Sequence, residues 1–591
     1  MIRHLPVTSR VLVLLAILTL GLSAATAPAQ GPAGNAHPEQ EAIEPGAAVN
    51  PLDPHELSAP NTATVEEKVE FASEVNLAPL AGIPVMANSR VGVLDTVARD
   101  TVRRITGRRT YQDFIVDESG DRLKVEKINY DPIFTFFDLM ADPAYYLDKP
   151  LIHVEFLSLR RGLLEAEFPS AEEDSTRERW MKLTRLAPTM VLGHPERIRV
   201  YLADNTYSRA INQVSQSLNY YLGAYTRLRV VPPAPGDDDW GLAASDAEVA
   251  RLFGQLGEAW RARDAVRVNA VAREISRALE ARPSRAYPPD WRRSLELMYN
   301  GTGKFILGYT LYFLSFVTLI IALGTGRVNL RRVGVAMLVG GVVIHAAGFV
   351  ARWILAERIP IQNQFESMLG LCLGAVLCGT ALMLARRQTI FGVAAAGVGF
   401  LTLMTATMSG VPGEEIQREA AILNTSYILF YHVNVVLFSY GLISLGAIIS
   451  AFYLITHYFK GDTPAQLAAA GVVNADRLEA AETVQAGRQR LLNDLDHAQM
   501  VVLQLAFWIL GVGILLGAWW ADHSWGRWWA FDPKETWALI TWIVYLVIVH
   551  VRLGVKRRGL VTAWLSILGF FIMLWTYFGV NLILPGLHAY A

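Results

Sequence analysis

Phe305-Ile306-Leu307-Gly308-Tyr309-Thr310-Leu311-Tyr312-Phe313-Leu314-Ser315-Phe316-Val317-Thr318-Leu319-Ile320-Ile321-Ala322-Leu323-Gly324 runs for twenty residues without a charged side chain. A helix of that length rises about 30 Å, which matches the hydrocarbon core of a bilayer. Backbone polar groups have no water to bond there, so an apolar run of this length reads as a helix that satisfies them internally. Going outward toward the C-terminus, comparable runs follow at 333–355, 366–385, 389–408, 433–456, 500–520, 535–555 and 560–583. With the first, at 304–324, that predicts eight spans, and the fold class is an all-α polytopic membrane protein.

Going outward toward the N-terminus, the sequence turns polar. Arg3, His4 and Arg10 precede an apolar stretch from Val11 to Leu22, and Ala27-Pro28-Ala29 stands before Gln30. This is the pattern of a secretory signal, expected over 1–29. Whether it is removed or stays as a short anchor, the chain after it starts outside the cytoplasm. Residues 30–62 are rich in Pro, Ala, Gly and Glu without periodicity, as in a disordered linker. From 63 to 298 the pattern is that of an exported, mostly helical soluble domain, with Val249, Leu252, Phe253, Leu256 and Trp260 at helical spacing. The run from Pro232 to Asp239 breaks it in two. No His, Cys and carboxylate spacing in it suggests a nucleophile or a metal.

An exported N-terminal domain makes the first span run inward, so the membrane domain, 299–591, has its C-terminus outside. The expected inner loops then hold Arg327, Arg331 and Arg332; Arg386 and Arg387; and Arg552, Lys556, Arg557 and Arg558, in accord with the positive-inside rule. The remaining inner loop, about 457–499, carries a polar stretch from Arg477 to Asp496 that suits a small cytoplasmic hairpin. The expected location is the bacterial inner membrane, with the N-terminal domain and the C-terminus on the periplasmic side. Over 591 residues the net charge is −1, and the 18% of charged residues are scattered or flank apolar runs. There is no electrostatic footprint for nucleic acid. Cys372 and Cys378 lie inside one apolar run and read as small core residues.

Between the sixth and seventh runs stands Trp519-Trp520-Ala521-Asp522-His523-Ser524-Trp525-Gly526-Arg527-Trp528-Trp529-Ala530-Phe531-Asp532-Pro533-Lys534-Glu535-Thr536-Trp537. Indole rings collect at the headgroup level, so two or three would be an interfacial belt. Six in one external loop, with Gly, Asp-Pro and Lys-Glu among them, suit an aromatic platform for a flat ligand. Four histidines also need explaining. His345 and His550 lie inside spans two and seven, where an ionisable ring is a functional candidate by default. At about 1.5 Å per residue they lie about 15 and 21 Å from the outer ends of their spans. That difference of about 6 Å allows two imidazoles on one metal if the spans are neighbours. His432 and His588 are both expected outside, flanking the tryptophans. Imidazole is an axial ligand of haem iron, and two from separate helices make a six-coordinate site. A satisfied core histidine and an interfacial histidine are the plainer readings of the two pairs.

Taken together, these residues resemble the cytochrome c assembly proteins that carry the Trp-rich WWD motif, closest to the CcsA/ResC type of system II. Trp525-Gly526-x-Trp528-Trp529-x-Phe531-Asp532-Pro533-Lys534-Glu535-Thr536-Trp537 is similar to the motif itself. Ile344-His345, Ala351-Arg352-Trp353 and the Asn363-Gln364-Phe365-Glu366-Ser367 segment are similar to the family's first membrane histidine and its following loop. His432 resembles the first external histidine, His550 with Arg552 the second membrane one, and His588 the second external one. Phe531 departs from a frequent Trp, and Asp522-His523-Ser524 from Asn-Glu-Ala.

The resemblance implies that haem b is held inside by His345 and His550, moves outward, and is held by His432 and His588 against Trp525, Gly526, Trp528, Trp529 and Asp532. There an apocytochrome c offers Cys-x-x-Cys-His for thioether attachment, and a CcsB/ResB-type membrane partner accompanies the protein. Arg352 and Arg527 are candidates to pair with the haem propionates. Two rival readings stay open: a haem exporter or chaperone without ligation activity, and a quinone-binding membrane subunit with the histidines as proton relays.

Overall fold

The computed structural model describes residues 50, 52, 63–117, 124–202, 207–233, 239–282, 286–303, 305–411, 413–416, 426–459, 475–555 and 558–584. The expected signal and most of the expected linker lie outside the described residues, as does His588. The chain divides into two compact units, Gln40–Thr302 and Gly303–Ala591.

The first unit is mostly helical, with three two-stranded antiparallel sheets among the helices. Helix α1 (Val65–Glu74) starts with a capping box, Thr64 and Glu67 each satisfying the other's backbone N–H. Strands β1 (Pro84–Ala87) and β2 (Arg90–Val93) form a hairpin whose two turn residues, Asn88 and Ser89, both take positive φ, as the favoured tight hairpin turns require. Helices α2 (Leu94–Thr106), α3 (Pro132–Ala141), α4 (Ala247–Arg261), α5 (Ala265–Glu280) and α6 (Asp290–Gly301) complete the frame. The centre holds a polar knot. Lys68 is buried and reaches Asp138 at 2.8 Å and Asp142 at 3.1 Å, while Trp260 donates to Asp138 at 2.9 Å. Leu52, in the stretch that composition marks as linker, is fully buried here, and Arg261 donates to its carbonyl at 2.7 Å.

The second unit is helical throughout the described residues, and eight of its helices are long and apolar enough to cross a membrane. The chain is a multi-pass membrane protein. The helices are α7 (Ile306–Thr325), α8 (Val328–Ala356), α9 (Gln364–Arg386), α10 (Thr389–Met408), α11 (Tyr427–Tyr458), α12 (Ala475–Trp525), α13 (Pro533–Gly554) and α14 (Arg558–Leu574). A π-turn, Trp575–Gly579, and a short helix, Val580–Ile583, continue the last one. Helix α8 packs on α7, α9 and α10; α11 lies centrally against α9, α10, α12 and α14; α13 packs on α12 and α14. Lipid tails are as apolar as the helices, so close packing has to hold such a bundle together. Tyr312 shows it: its ring lies between Gly341 and Gly399, where a Cβ would stand 2.7 and 2.8 Å from ring carbons.

Two expectations change. Residues 475–499 are not a separate hairpin but the first half of α12, one helix of 51 residues, because the stretch from Ala475 to Trp525 contains no proline. Arg488 on that helix donates to the carbonyls of Thr456 and His457 at 2.9 and 2.7 Å, capping the C-terminus of α11. Also, the tryptophan segment is not all loop: Trp519, Trp520 and Trp525 form the last turns of α12.

Candidate functional site

Gly526 has φ +68°, which ends α12. The chain then crosses to α13 in six residues. Asp532 is the N-cap of α13, accepting from Lys534 N at 3.1 Å, with Pro533 in the first turn. Glu535 reaches back to the backbone N–H of Ala530 and Asp532 at 2.8 and 3.3 Å. The Asp-Pro-Lys-Glu sequence is therefore a capping box that fixes where the loop lands. Phe531 takes φ +56°, a backbone conformation strained for an aromatic residue, and strain of this kind gathers at ligand-binding sites.

The rings divide by exposure. Trp520 is buried and meets Trp525 edge-on with centroids 4.9 Å apart, above Leu429 and Ala521. Trp528 and Phe531 are 57% and 79% exposed, and Arg527 is exposed beside them. Trp529 stands edge-on to Phe531 at 6.4 Å, and Trp537 packs on Trp575 at 5.8 Å. The result is an apolar surface with an anchored base and an open edge.

His432 sits at that base. It lies on α11 one turn beyond Leu429, and its Nδ1 is 2.7 Å from the carbonyl oxygen of Gly513 on α12. A carbonyl can only accept, so Nδ1 carries the proton and the lone pair of the neutral ring is on Nε2. Gly517, one turn further along α12, makes the room: a Cβ there would stand 2.4 Å from His432 Cε1 and 2.7 Å from Nδ1. Trp520 is the next turn. The structure thus brings His432 and the tryptophan segment together.

The inner pair is different. His345 is wholly buried on α8, with its Nδ1 3.3 Å from the hydroxyl of Tyr312 and its ring edge-on to Phe305 and Tyr312. Its Nε2 has no hydrogen-bond partner among the described residues. A buried polar atom in such a place is costly unless something partners it. His550 is exposed on α13, with Nδ1 2.8 Å from the carbonyl of Leu546 one turn back, so its lone pair also lies on Nε2. No hydrogen bond or ring contact joins the two histidines among the described residues. Depth along a span set their levels, but α8 and α13 have different neighbours.

The arginines also differ from each other. Arg352 is fully buried; its guanidinium donates to Glu366 at 2.9 Å and to the carbonyls of Gly413, Glu414 and Glu415 at 2.8, 2.7 and 2.9 Å. As placed, it holds the segment after α10 rather than offering donors outward. Arg527 keeps its exposed position. Glu366, which the sequence motif carries without a stated role, is the centre of this cluster. It is fully buried, accepts also from Arg358 at 2.7 Å, and has its backbone N–H capped by Asn363 at 2.9 Å. Ser367, next to it, shares a 2.5 Å hydrogen bond with Tyr577 in the π-turn. The spacing of Asn363 to Glu366 is a helix-start signature; the charge partner Arg358 is visible only in three dimensions.

A family profile described as Cytochrome C assembly protein matches residues 361–588. The chain is 31% identical over 277 residues to the cytochrome c biogenesis protein CcsA of Synechococcus sp. (strain RCC307), covering 45% of this chain and 87% of the relative. The chain belongs to the cytochrome c assembly protein family. Similar relatives include CcsA of Prochlorococcus marinus (strain NATL2A), 32% identical over 254 residues covering 41% of this chain and 79% of the relative. CcsA of Trieres chinensis is 27% identical over 315 residues, 51% of this chain and 98% of the relative. The profile takes in His432, the tryptophan segment and His550; His345 lies before its first residue. Membership gives this multi-pass protein a role in cytochrome c biogenesis, with haem involved.

Proposed function

We propose that the membrane unit carries haem to the outer face of the bacterial inner membrane and presents it there for thioether attachment to apocytochrome c. The observation that carries this reading is His432, oriented through Nδ1 by the Gly513 carbonyl and packed at Gly517, one turn from Trp520 on the same helix. Neutral Nε2 is the nitrogen that binds haem iron, and a second-atom hydrogen bond to a carbonyl is the usual way a ligating histidine is oriented. His588 supplies the other external ligand, and Trp525, Gly526, Trp528, Trp529 and Asp532 form or frame the platform. Arg527 pairs with a propionate at the open edge. His345 and His550 are the inner ligands, and haem passes from them to the outer pair.

Haem supplies the vinyl groups and the substrate supplies the thiols. In each attachment a thiol S–H adds across a vinyl C=C, so that a C–S and a C–H bond form and no group leaves. The protein contributes orientation and the exclusion of competing reactions. A CcsB/ResB-type membrane protein is the proposed partner, and residues 63–298 form an exported domain after a signal at 1–29 and a linker at 30–62.

The test is expression in cells without their own maturation system, with and without such a partner, followed by a stain for covalent haem and an absorption spectrum of the purified chain. A bis-histidine spectrum, with holocytochrome lost in His432→Ala and His588→Ala, supports the reading. Haem binding without any holocytochrome, even with the partner, selects the exporter or chaperone. A protein without haem in all preparations overturns both.

A further inference from the structure

Besides His345, three fully buried side chains of the membrane unit carry polar atoms with no hydrogen-bond partner among the described residues: both amide atoms of Gln499, the hydroxyl of Tyr545 and the hydroxyl of Ser566. They come from α12, α13 and α14 and belong to one seam. At its inner end Arg552 pairs with Asp496 at 2.6 Å and donates to Thr562 at 3.2 Å. Asp496 and Thr562 are thus level. Helices α12 and α14 run in the same direction from there, so Gln499 and Ser566 lie about 4.5 and 6 Å further along. Ser566 Oγ stands 3.9 Å from the Cβ position of Gly446 on α11, where Val502 and Leu503 of α12 also pack. One turn beyond, a Cβ on Gly569 would be 3.1 Å from the hydroxyl of Tyr545. Beyond that, Thr541 and Thr576 share a 2.9 Å hydrogen bond, both buried.

The polar groups therefore form a column from Thr562 to Thr576, fourteen residues or about 21 Å of helix, inside a unit of apolar helices. Its two ends are satisfied within the protein and its middle is not. An unmet hydrogen bond in a lipid-surrounded interior is costly, and four orphan atoms from three helices within about 6 Å along the seam are a set of donors and acceptors of the kind that holds buried water. We propose that the seam between α11, α12, α13 and α14 binds a chain of ordered water molecules, joining the Asp496–Arg552 pair to the Thr541–Thr576 pair. Gln499 supplies a donor and an acceptor nearest the Asp496–Arg552 pair, and Ser566 and then Tyr545 continue the chain toward Thr541 and Thr576.

The experiment is hydroxyl-radical labelling by X-ray radiolysis of the full chain in lipid nanodiscs, where water beside a side chain generates the radical that oxidises it. Tyr146, buried in the first unit with its hydroxyl on Asp138, is the control of the same residue type. Tyr545 should be oxidised at least fivefold faster than Tyr146, and Gln499→Leu with Ser566→Ala should cut that rate at least threefold. If the double variant does not fold, the wild-type comparison decides alone. Oxidation of Tyr545 no faster than that of Tyr146, or a rate unchanged in a folded double variant, overturns the proposal.

Discussion

Replacing Gly517 by alanine tests the position of His432 without removing its imidazole. The new Cβ would lie 2.4 Å from Cε1 of the ring, against an ordinary carbon contact of about 3.5–4.0 Å. The ring or the helix seam has to give by about 1 Å. The bond from Nδ1 to Gly513 O, 2.7 Å long, is what the ring would lose by swinging away. Overpacking of this kind costs about 1–3 kcal/mol of stability, which leaves a folded protein. A misplacement of about 1 Å in a positioned reacting group can cost about 100-fold. Gly517→Ala should therefore lower holocytochrome yield per unit of membrane protein by tenfold or more, approaching His432→Ala, while the melting temperature falls only a few degrees. Gly487→Ala, on the same helix with nothing within 4 Å of its Cβ position, is the comparison. If Gly517→Ala retains full yield, the orientation of His432 has no bearing on maturation and the geometric reading fails.

Removing Glu366 leaves two buried guanidinium groups without their counter-ion, so Glu366→Ala should cost about 3–5 kcal/mol in equilibrium unfolding of the full chain; a change under about 1 kcal/mol would count against the cluster. His345→Gly should lose its haem and regain part of it with added imidazole at neutral pH, less so at pH values below about 6.5 where free imidazole is protonated; a stable variant indifferent to imidazole removes the inner site. Asp532→Ala, which deletes the N-cap of α13, should cost about 1 kcal/mol, read out by thermal unfolding, with Asp532→Asn nearly neutral. In the first unit, hydrogen bonds from Arg282 and from the backbone of Val249 hold the Asp246 carboxyl down at about 2. A carboxyl depressed on folding gives stability that is present above about pH 4 and is lost as pH falls toward 2. Asp246→Asn should remove that part of the acid limb, and an acid-unfolding profile identical to the parent's would refute it.

The eight spans were legible because apolar length is a direct consequence of bilayer thickness, and all eight helices stand where the apolar runs are. Their ends were less so. Hydropathy marks the part of a helix that lies in lipid, whereas the hydrogen-bonded helix continues wherever nothing stops it. Helix α12 starts 25 residues before its apolar run at 500–520, through a segment with many Ala, Glu, Arg and Leu. The same blindness placed Trp519, Trp520 and Trp525 in a loop: no glycine or proline stands between Ala518 and Trp525, and the first stop signal is Gly526. Asp532-Pro533-x-Glu535 was readable as a capping box from spacing alone.

The histidines show what a linear reading can and cannot carry. His432 was tied to the tryptophans by shared membrane face, and the fold adds the reason it can be held there: Gly513 and Gly517, four residues apart on α12, give one face of the helix an acceptor and a notch at the same ring. His345 and His550 were tied by depth, which fixes one coordinate of three. Depth cannot say that α8 packs on α7, α9 and α10 while α13 packs on α12 and α14. It also cannot say that one ring is buried under Phe305 and Tyr312 and the other exposed. A buried ring and an exposed ring are unequal as ligands. A ring already ordered in a packed site gives up less freedom on binding than an exposed one. Of the inner pair, His345 is thus the residue whose loss should most reduce haem affinity.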